Sequence, residues 1–480
     1  MPRLLFQAFS TLLTASAIAC GILPQAVSAE SPPVNRPARQ PPQQFIFVAA
    51  GDLLGPYQSD LRLDDPSFAK VVRIVREADA AFANEEGSTF DFATLKAGVH
   101  AAEPIALPPH SLATTRAFKE MGFNLFSRAN NHSTDWGLEG MLATDRALDA
   151  IGIVHAGTGR SLEAARAPAY FQSTKGRVAL IASASFFPDD SSAGDPGHGS
   201  IWPPDVPDRG SGPRPGLNPL RVRKVTLVTP QEMSALCQIS LRSNKWSGVD
   251  SPCPIQIGAE LSFSGVSGNL EALSFRVSDK PGVTYDVNAK DRSEIIGSIA
   301  MARRASDFVV YSIHAHEGRS GEGEGDEPAD FLAPLFHDIV DAGADVVVRS
   351  GPHFLQGVEI YHGKPIFYGL GNFFHDFAQS FVVSSEDWTP AYTDTVSRSA
   401  EWYESAIATS EFDHGVLIKV TIYPLLVEHR ESPFLRGYPK LAQGADAHRI
   451  LARIQQKSAL FGTKLYIVNG VGIIKGAAGS

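Results

Sequence analysis

Short apolar runs in this sequence repeatedly end in side chains that can bind a metal ion or transfer a proton. These side chains are Asp52, Glu85, Glu86, Asn130, Asn131, His132, Asp135, His314, His316, His353 and Asn372. Because loops at the carboxyl ends of strands converge on one crevice in an open α/β sheet, we expect them to share a site. Carboxylate, amide and imidazole groups without thiolates are typical ligands of manganese, zinc, iron or magnesium. The pattern therefore predicts a site for one or two divalent metal ions.

Such a site would support hydrolysis. Two ions about 3.5–4 Å apart can activate water at neutral pH and stabilise a transition state, and a bridging carboxylate would hold them together. His132 is placed to protonate a leaving group, and Asp135 is the second candidate catalytic residue. Each residue alone also has a structural explanation, since Asp52 could form a turn and residues 130–132 could simply stop a strand. Four histidines without such placement are expected on the surface: His100, His110, His198 and His448.

The apolar runs that must position these residues alternate with helical patterns. The predicted strands are Phe45–Ala50, Ala80–Ala83, Leu125–Arg128, Val178–Ser183, Phe308–Ile313, Asp345–Arg349, Ile366–Gly369 and Val416–Ile422. Apolar residues recur at helical spacing from Leu138 to Ile151 and again from Phe331 to Val340. Strand–helix alternation of this kind predicts a layered α/β fold with much parallel sheet.

The alternation stops at an insertion spanning about residues 188–287. Its first part is dense in Pro and Gly, and Ser234–Val277 has strand-like pieces without clear helices. Cys237 and Cys253 lie in this insertion and could either stay as thiols or form a disulfide. In an oxidising compartment we expect the disulfide, which would close a loop of about 16 residues and contribute about 3 kcal/mol.

The first 29 residues are typical of a secretory signal peptide. Arg3 is the only charged residue before Glu30, the stretch after it is almost wholly apolar or small, and small residues precede a cleavage site after Ala29. The alternative is a lipoprotein signal, in which Cys20 would be acylated. Residues 30–44 are Pro-rich and predict a linker, and no later run is apolar for the ~20 residues that span a bilayer. We therefore expect an exported protein, periplasmic or at the cell surface, without a transmembrane span in its mature form.

The charge balance restricts the partners of the protein. The 480-residue chain carries 52 acidic and 42 basic side chains, a net charge of −10. This balance argues against nucleic acid as a partner held by bulk charge, and an anionic polymer would need a local basic pocket or a metal ion. The sequence also lacks a P-loop, a complete dinucleotide fingerprint and a Gly-x-Ser-x-Gly nucleophile elbow.

Several of these segments together resemble the capsule-synthesis protein CapA family, which includes proteins of poly-γ-glutamate synthesis and export. The segments are GD at 51–52, ANEEG at 83–87, ANNHSTDWG at 129–137, IHAHE at 313–317, GADVVVRSGPHFLQGVEIY at 343–361 and GKPIFYGLGNF at 363–373. The family is similar in fold to the calcineurin-like metallophosphatases, so the resemblance implies an αββα sandwich. It implies a domain over residues 45–378, interrupted by the insertion, with residues 379–480 as an extension that completes the same domain.

The resemblance also implies roles for individual residues. The implied metal ligands are Asp52, Glu86, Asn131, His314 and His353, with His316 as an addition and Glu86 in the acidic, bridging position. His132 would be the acid or a substrate-binding histidine. Two departures reduce this ligand set, because Leu54 and Ser350 stand where metallophosphatases or many CapA-like proteins have histidines.

Two functions remain open on this basis. The first is a metal-dependent hydrolase that cleaves a phosphoester or amide bond of an exported polymer or cell-envelope molecule, with Arg349 and Asn372 binding substrate. The alternative for Arg349 is a strand-end arginine in solvent. The second function is a non-catalytic accessory that binds polymer, or proteins of a capsule synthesis and export complex. The reduced ligand set favours this second function.

Overall fold

The computed structural model describes the following parts of the chain: residues 42–57, 61–91, 93–95, 105–194, 213–243, 253, 255–263, 273–321, 327–376, 382–383, 400–428 and 437–476. The signal peptide, Cys20 and nearly all of the linker lie outside these residues. So do His100 and His198.

The strands in chain order are β1 (Phe45–Leu54), β2 (Ala80–Asn84), β3 (Ile105–Ala106), β4 (Leu125–Ser127), β5 (Val154–Ala156), β6 (Thr158–Gly159), β7 (Ala169–Ser173), β8 (Gly176–Ala184), β9 (Gly216–Leu217), β10 (Val222–Val228), β11 (Glu260–Phe263), β12 (Leu273–Val277), β13 (Gly282–Val287), β14 (Phe308–His314), β15 (Val346–Ser350), β16 (Val358–Tyr361), β17 (Lys364–Phe367), β18 (Asn372–His375), β19 (Val382–Val383), β20 (Glu404–Asp413), β21 (Val416–Val427), β22 (Pro439–Leu441), β23 (Leu465–Val468) and β24 (Val471–Lys475). The helices are α1 (Ala69–Arg76), α2 (Leu112–Glu120), α3 (Gly137–Ile151), α4 (Leu162–Arg166), α5 (Pro230–Ser243), α6 (Ala289–Ala305), α7 (Leu332–Asp341) and α8 (Gly444–Ala459).

Two large sheets carry the site. In the larger sheet the strand order is β23-β24-β21-β20-β1-β2-β4-β5, with β18 also beside β1 and β22 beside β21. In the smaller sheet the order is β16-β17-β15-β14-β8-β7. In each sheet, four neighbouring strands pair in parallel: β1, β2, β4 and β5 in one, and β8, β14, β15 and β17 in the other. This arrangement confirms the predicted α/β fold with parallel sheet.

The two sheets face each other across the main hydrophobic core, with helices on their outer faces. Phe47, Ala49 and Phe82 of the larger sheet share this core with Leu180 and Val310 of the smaller sheet. Residues that alternate with these along the strands point outward, where α1, α2 and α3 cover the larger sheet and α6 and α7 cover the smaller one. Burial on both faces explains why these strands read as continuous apolar runs. The order of layers is helix, sheet, sheet, helix, as expected.

The C-terminal part of the chain adds strands to the larger sheet. Strand β20 pairs with β1 in antiparallel orientation, β21 pairs with β20, and β24 pairs with β21. Helix α8 buries Ile450, Leu451 and Ile454 in the same core that lies between the sheets.

The insertion forms a separate small sheet of strand order β11-β12-β10-β13, with α5 packed against it. The expectation of no clear helix here is wrong, because α5 spans Pro230–Ser243. Thr229 and Glu232 exchange hydrogen bonds around the start of this helix, and a proline occupies its first position. Cys237 of α5 forms a disulfide with Cys253, with a Cα–Cα distance of 6.0 Å, as expected.

None of the helices in the described part of the chain combines the length and the apolar character needed to cross a membrane.

Candidate metal centre

The carboxyl ends of strands from both large sheets meet at the predicted site. Asp52 lies near the end of β1, and in the register of the larger sheet it stands between Asn84 of β2 and Asn372 of β18. His314 ends β14, next to Ser350 at the end of β15. The side chains of Asp52, Asn84, Glu86, His314 and Asn372 are all buried. The structure therefore brings together residues that are up to 320 positions apart in the sequence, as the strand-end pattern predicts.

One group of three possible metal ligands consists of Asp52, Glu86 and His353. One donor atom of each lies within 4.8 Å of the other two. His353 contacts both carboxylates, with Nδ1 3.5 Å from Asp52 Oδ2 and Nε2 3.7 Å from Glu86 Oε1. The Gly351 amide donates a hydrogen bond of 3.2 Å to Asp52 Oδ2 and helps to orient it. We call this group trio A.

A second group consists of Glu86, His314 and His316, and we call it trio B. His314 Nε2 lies 3.9 Å from Glu86 Oε1 and 2.9 Å from His316 Nε2. Burial, reinforced by the charges of His316, His353, His132 and Arg349, lowers the pKa of His314 well below its ordinary value. His314 is therefore neutral at physiological pH, and its ring can offer a lone pair to a cation.

The two trios share Glu86, whose Oε1 lies 3.7 Å from His353 Nε2 of trio A and 3.9 Å from His314 Nε2 of trio B. Asn131, expected as a further ligand, is buried, and its Oδ1 has no hydrogen-bond partner among the described residues. The carboxylates and imidazoles of the two trios, together with such an amide oxygen, are donor types that suit a divalent cation. The residues present therefore fit the expected metal.

His132 and Asp135, the two candidate catalytic residues, contact each other directly. His132 Nδ1 lies 2.9 Å from Asp135 Oδ2, and the same oxygen accepts a hydrogen bond of 2.7 Å from the Leu107 amide. The carboxylate can thus accept a hydrogen bond from Nδ1 and fix the orientation of the His132 ring. The His132 side chain is 13% exposed, so it is more accessible than the fully buried His314.

These positions fall within a segment that has a family assignment. Residues 46–377 match the family model described as "Bacterial capsule synthesis protein PGA_cap". The chain belongs to this family. The match confirms the resemblance to CapA and, with it, a role in capsule or poly-glutamate synthesis.

Individual proteins are similar to this PGA_cap chain over different shares of its length. The chain is 34% identical to the uncharacterized protein y4sH of Sinorhizobium fredii over 460 residues. This alignment covers 90% of this chain and 93% of that protein. It is 36% identical over 118 residues to the PGA biosynthesis protein CapA of Bacillus subtilis, covering 25% of this chain and 28% of that protein. Among solved structures, a hypothetical protein from Thermus thermophilus aligns with a TM-score of 0.33 and 11% identity, covering 79% of this chain and 98% of that one.

The two residues expected to bind substrate, Asn372 and Arg349, contact other residues of the protein near the trios. Asn372 Oδ1 lies 2.7 Å from His353 Nδ1, so the amide orients a ligand of trio A. Arg349 is buried, and its guanidinium donates hydrogen bonds to the carbonyl oxygens of Ala315 and Glu317. The alternative of an arginine in solvent is therefore wrong.

Several residues at the centre were not predicted as site residues. Asn84 donates to Asp52 Oδ1 at 2.9 Å and lies 3.4 Å from Glu86 Oε2 and 3.3 Å from His314 Nδ1. Ser350 Oγ lies 3.2 Å from the same His314 nitrogen. The available signal for Asn84 was its position in the ANEEG segment, directly at the end of β2.

Aromatic side chains also border the centre and were missed by the sequence analysis. The ring of Trp402 lies 5.2 Å from that of His353, and the ring of Phe186 lies 4.5 Å from that of His316. Phe186 lies just before the insertion, so the chain that leads into the insertion contacts trio B.

The prediction that His110 lies on the surface is wrong, whereas His448 is exposed as expected. His110 is fully buried, with Nδ1 3.8 Å from Glu85 Oε1. Burial by itself would raise the pKa of the Glu85 carboxyl, but Arg128 and His110 hold this pKa below its ordinary value. Glu85 therefore stays ionised, and it forms a buried charged network with Arg128 and His110 next to Glu86 in the chain.

Proposed function

We propose that this protein is an exported, divalent-metal-dependent hydrolase of capsule or poly-γ-glutamate synthesis. It cleaves a phosphoester or amide bond of a cell-envelope polymer. The observation that carries the proposal is the position of Glu86, whose carboxylate belongs to both trios. Two ions sharing this carboxylate would be held close together, as in hydrolytic centres with two metals.

The chain's own residues have separate roles in this proposal. Trio A would hold one ion and trio B the other, with the Asn131 amide oxygen as a further ligand. Ions bound there would polarise the scissile group and lower the pKa of water. As an imidazolium whose Nδ1–H is accepted by Asp135, His132 would donate its Nε2 proton to the leaving group and become neutral, and Asp135 keeps the His132 ring in the required orientation. Asn372 orients His353 through its carbonyl oxygen.

The substrate class follows from the family and from charge. The relative from Bacillus subtilis is named a PGA biosynthesis protein, and poly-γ-glutamate offers amide bonds along an anionic chain. With a net charge of −10, this protein repels such a polymer in general. Bound cations would provide the local positive charge that an anionic substrate needs at the site of cleavage. The sequence of residues 1–29 supports export to the compartment where such a polymer accumulates.

Elemental analysis of the purified protein, combined with substrate assays, tests the proposal. We expect two equivalents of divalent metal per chain, and metal-dependent cleavage of either poly-γ-glutamate or a simple phosphodiester. Glu86→Gln should lose both ions, because the residue is common to both trios, whereas a surface control, Glu411→Gln, should keep them. A gently prepared protein without bound metal, which also fails to take up added Mn²⁺, would refute the proposal.

The alternative is a non-catalytic accessory that binds polymer or capsule synthesis proteins, and Leu54 and Ser350 support it by reducing the ligand set. The His132→Ala variant distinguishes the two functions. A hydrolase loses polymer cleavage and cellular function together in this variant. An accessory keeps its function in the producing cell, since the variant leaves both trios intact.

A further inference from the structure

A buried arginine outside both trios donates hydrogen bonds to the main chain on either side of Glu86. Arg128 follows β4 and is fully buried. Its Nη1 donates hydrogen bonds of 3.1 Å to the Glu85 carbonyl oxygen and 2.5 Å to the Gly87 carbonyl oxygen. These carbonyls belong to the residues immediately before and after Glu86. A planar guanidinium fixes the directions of its donors, so both carbonyls are tied to one rigid group.

The same turn is held by further contacts from neighbouring residues. Asn130 Nδ2 donates a hydrogen bond of 2.7 Å to the Glu85 carbonyl oxygen, and Thr89 Oγ1 donates to the Glu85 carboxylate. The Glu85 carboxylate lies 3.6 Å from Arg128 Nε. Gly87 has φ of +146°, a backbone conformation that residues with a side chain rarely adopt. The turn is thus held in a specific, unusual conformation.

Stability alone does not explain a charged pair at this position. Burying two charges carries a large desolvation penalty, and an apolar pair of similar volume is often as stable or more so. What an apolar pair cannot do is donate hydrogen bonds to the two carbonyls that flank Glu86. The contacts of Arg128 therefore point to control of the geometry of the turn.

We propose that Arg128 is a positioning residue that fixes the Glu85–Gly87 turn and so holds the Glu86 carboxylate between trio A and trio B. The inference rests on the proposed function, since it assumes that Glu86 binds metal. It assigns the buried Glu85–Arg128 pair a role in metal binding, although neither side chain is a ligand. Because Glu86 is shared, loss of Arg128 weakens the binding of both ions together.

The test compares variants by Mn²⁺ titration calorimetry and thermal unfolding. Arg128→Leu leaves Glu85 buried without its main cation, so we expect a lower unfolding temperature and weaker Mn²⁺ binding. In the double variant Glu85→Leu/Arg128→Leu the uncompensated charge is gone, so stability should recover. Its Mn²⁺ affinity should stay at least tenfold below wild type at both sites. Arg128→Lys, which keeps the charge near Glu85 without the planar donor geometry, should fold and also bind Mn²⁺ more weakly than wild type.

Arg166→Leu is the matched control. Arg166 is another buried arginine, and it binds Asn218 and Asp291. This variant should lose stability but bind Mn²⁺ as wild type does. Wild-type Mn²⁺ affinity in Arg128→Lys or in the folded double variant would overturn the inference while leaving the proposed function intact. A wild-type protein that binds no Mn²⁺ would refute the proposed function, and the inference with it.

Discussion

Replacing Asn372 by alanine should weaken one of the two proposed ions selectively. Asn372 Oδ1 lies 2.7 Å from His353 Nδ1, and Asn372 is fully buried. Alanine removes the acceptor 2.7 Å from Nδ1 that holds the His353 ring in place. Loss of such a supporting partner typically lowers metal affinity about 10–100-fold, which corresponds to about 1.4–2.8 kcal/mol at 25 °C. We expect this loss for trio A alone, because trio B does not contain His353.

The matching change for trio B is Ser350→Ala, since Ser350 Oγ lies 3.2 Å from His314 Nδ1. Calorimetric titration of the metal-free variants with Mn²⁺ should show one weakened and one unchanged binding event in each variant. Asn372→Asp is the control, because a carboxylate keeps an acceptor for His353 and should preserve or strengthen binding. Equal weakening of both events in Asn372→Ala, or no weakening at all, would contradict the assignment of separate trios.

Three further outcomes follow from the structure. His132→Ala should lower turnover of the cleaved substrate about 10²–10⁴-fold while elemental analysis still finds the wild-type metal content; loss of metal would contradict its assignment as an acid. Burial raises the pKa of Asp291, but hydrogen bonds and charge from Arg221 keep it below its ordinary value. Its contribution to stability is therefore present above the unfolded pKa of about 3.9 and is lost as the pH falls through the lower folded pKa. In urea unfolding, Asp291→Asn should be less stable than wild type at pH 7, with the difference shrinking below about pH 4; a difference that persists in acid would argue against this. Cys237→Ser, which breaks the bond to Cys253, should cost the insertion about 3 kcal/mol, seen by calorimetry as a lower melting temperature that reducing agent does not lower further.

The strand-end positions of the metal centre could be predicted from the sequence because they follow from local patterns. Asp52 and His314 each come at the end of a continuous apolar run, and parallel strands place such ends at the same edge of a sheet. That these two residues belong to different sheets was not readable from the runs themselves. It depends on how the sheets face each other, and the resemblance to a known family implied two sheets without assigning these residues to them.

Residues whose role depends on distant partners could not be predicted in this way. The sequence pattern predicted a surface position for His110, and it gave no sign that Arg128 and His110 lie buried against Glu85. They are buried because each compensates another, and the carbonyl groups that Arg128 binds carry no sequence signal at all. Helix α5 is different, because Thr229 and Glu232 form a recognisable start signal that hydrophobic periodicity alone did not reveal.

The two departures from the family pattern leave a centre that is still equipped to bind metal. Ser350 replaces an imidazole, but His316 brings another one to within 2.9 Å of His314 on the same side of Glu86. His316, which follows β14, thus offers an imidazole in place of the one missing at Ser350 in β15. A position-by-position comparison with the family would record only the missing histidine.

Residue 54 is a buried leucine where metallophosphatases have a histidine, so trio A offers three possible ligands. Three protein ligands leave a coordination position open to water or substrate, which is the arrangement of catalytic sites, whereas structural sites are closed by four. For a zinc ion, the reduced ligand set, which first favoured a binding role, is therefore also compatible with hydrolysis.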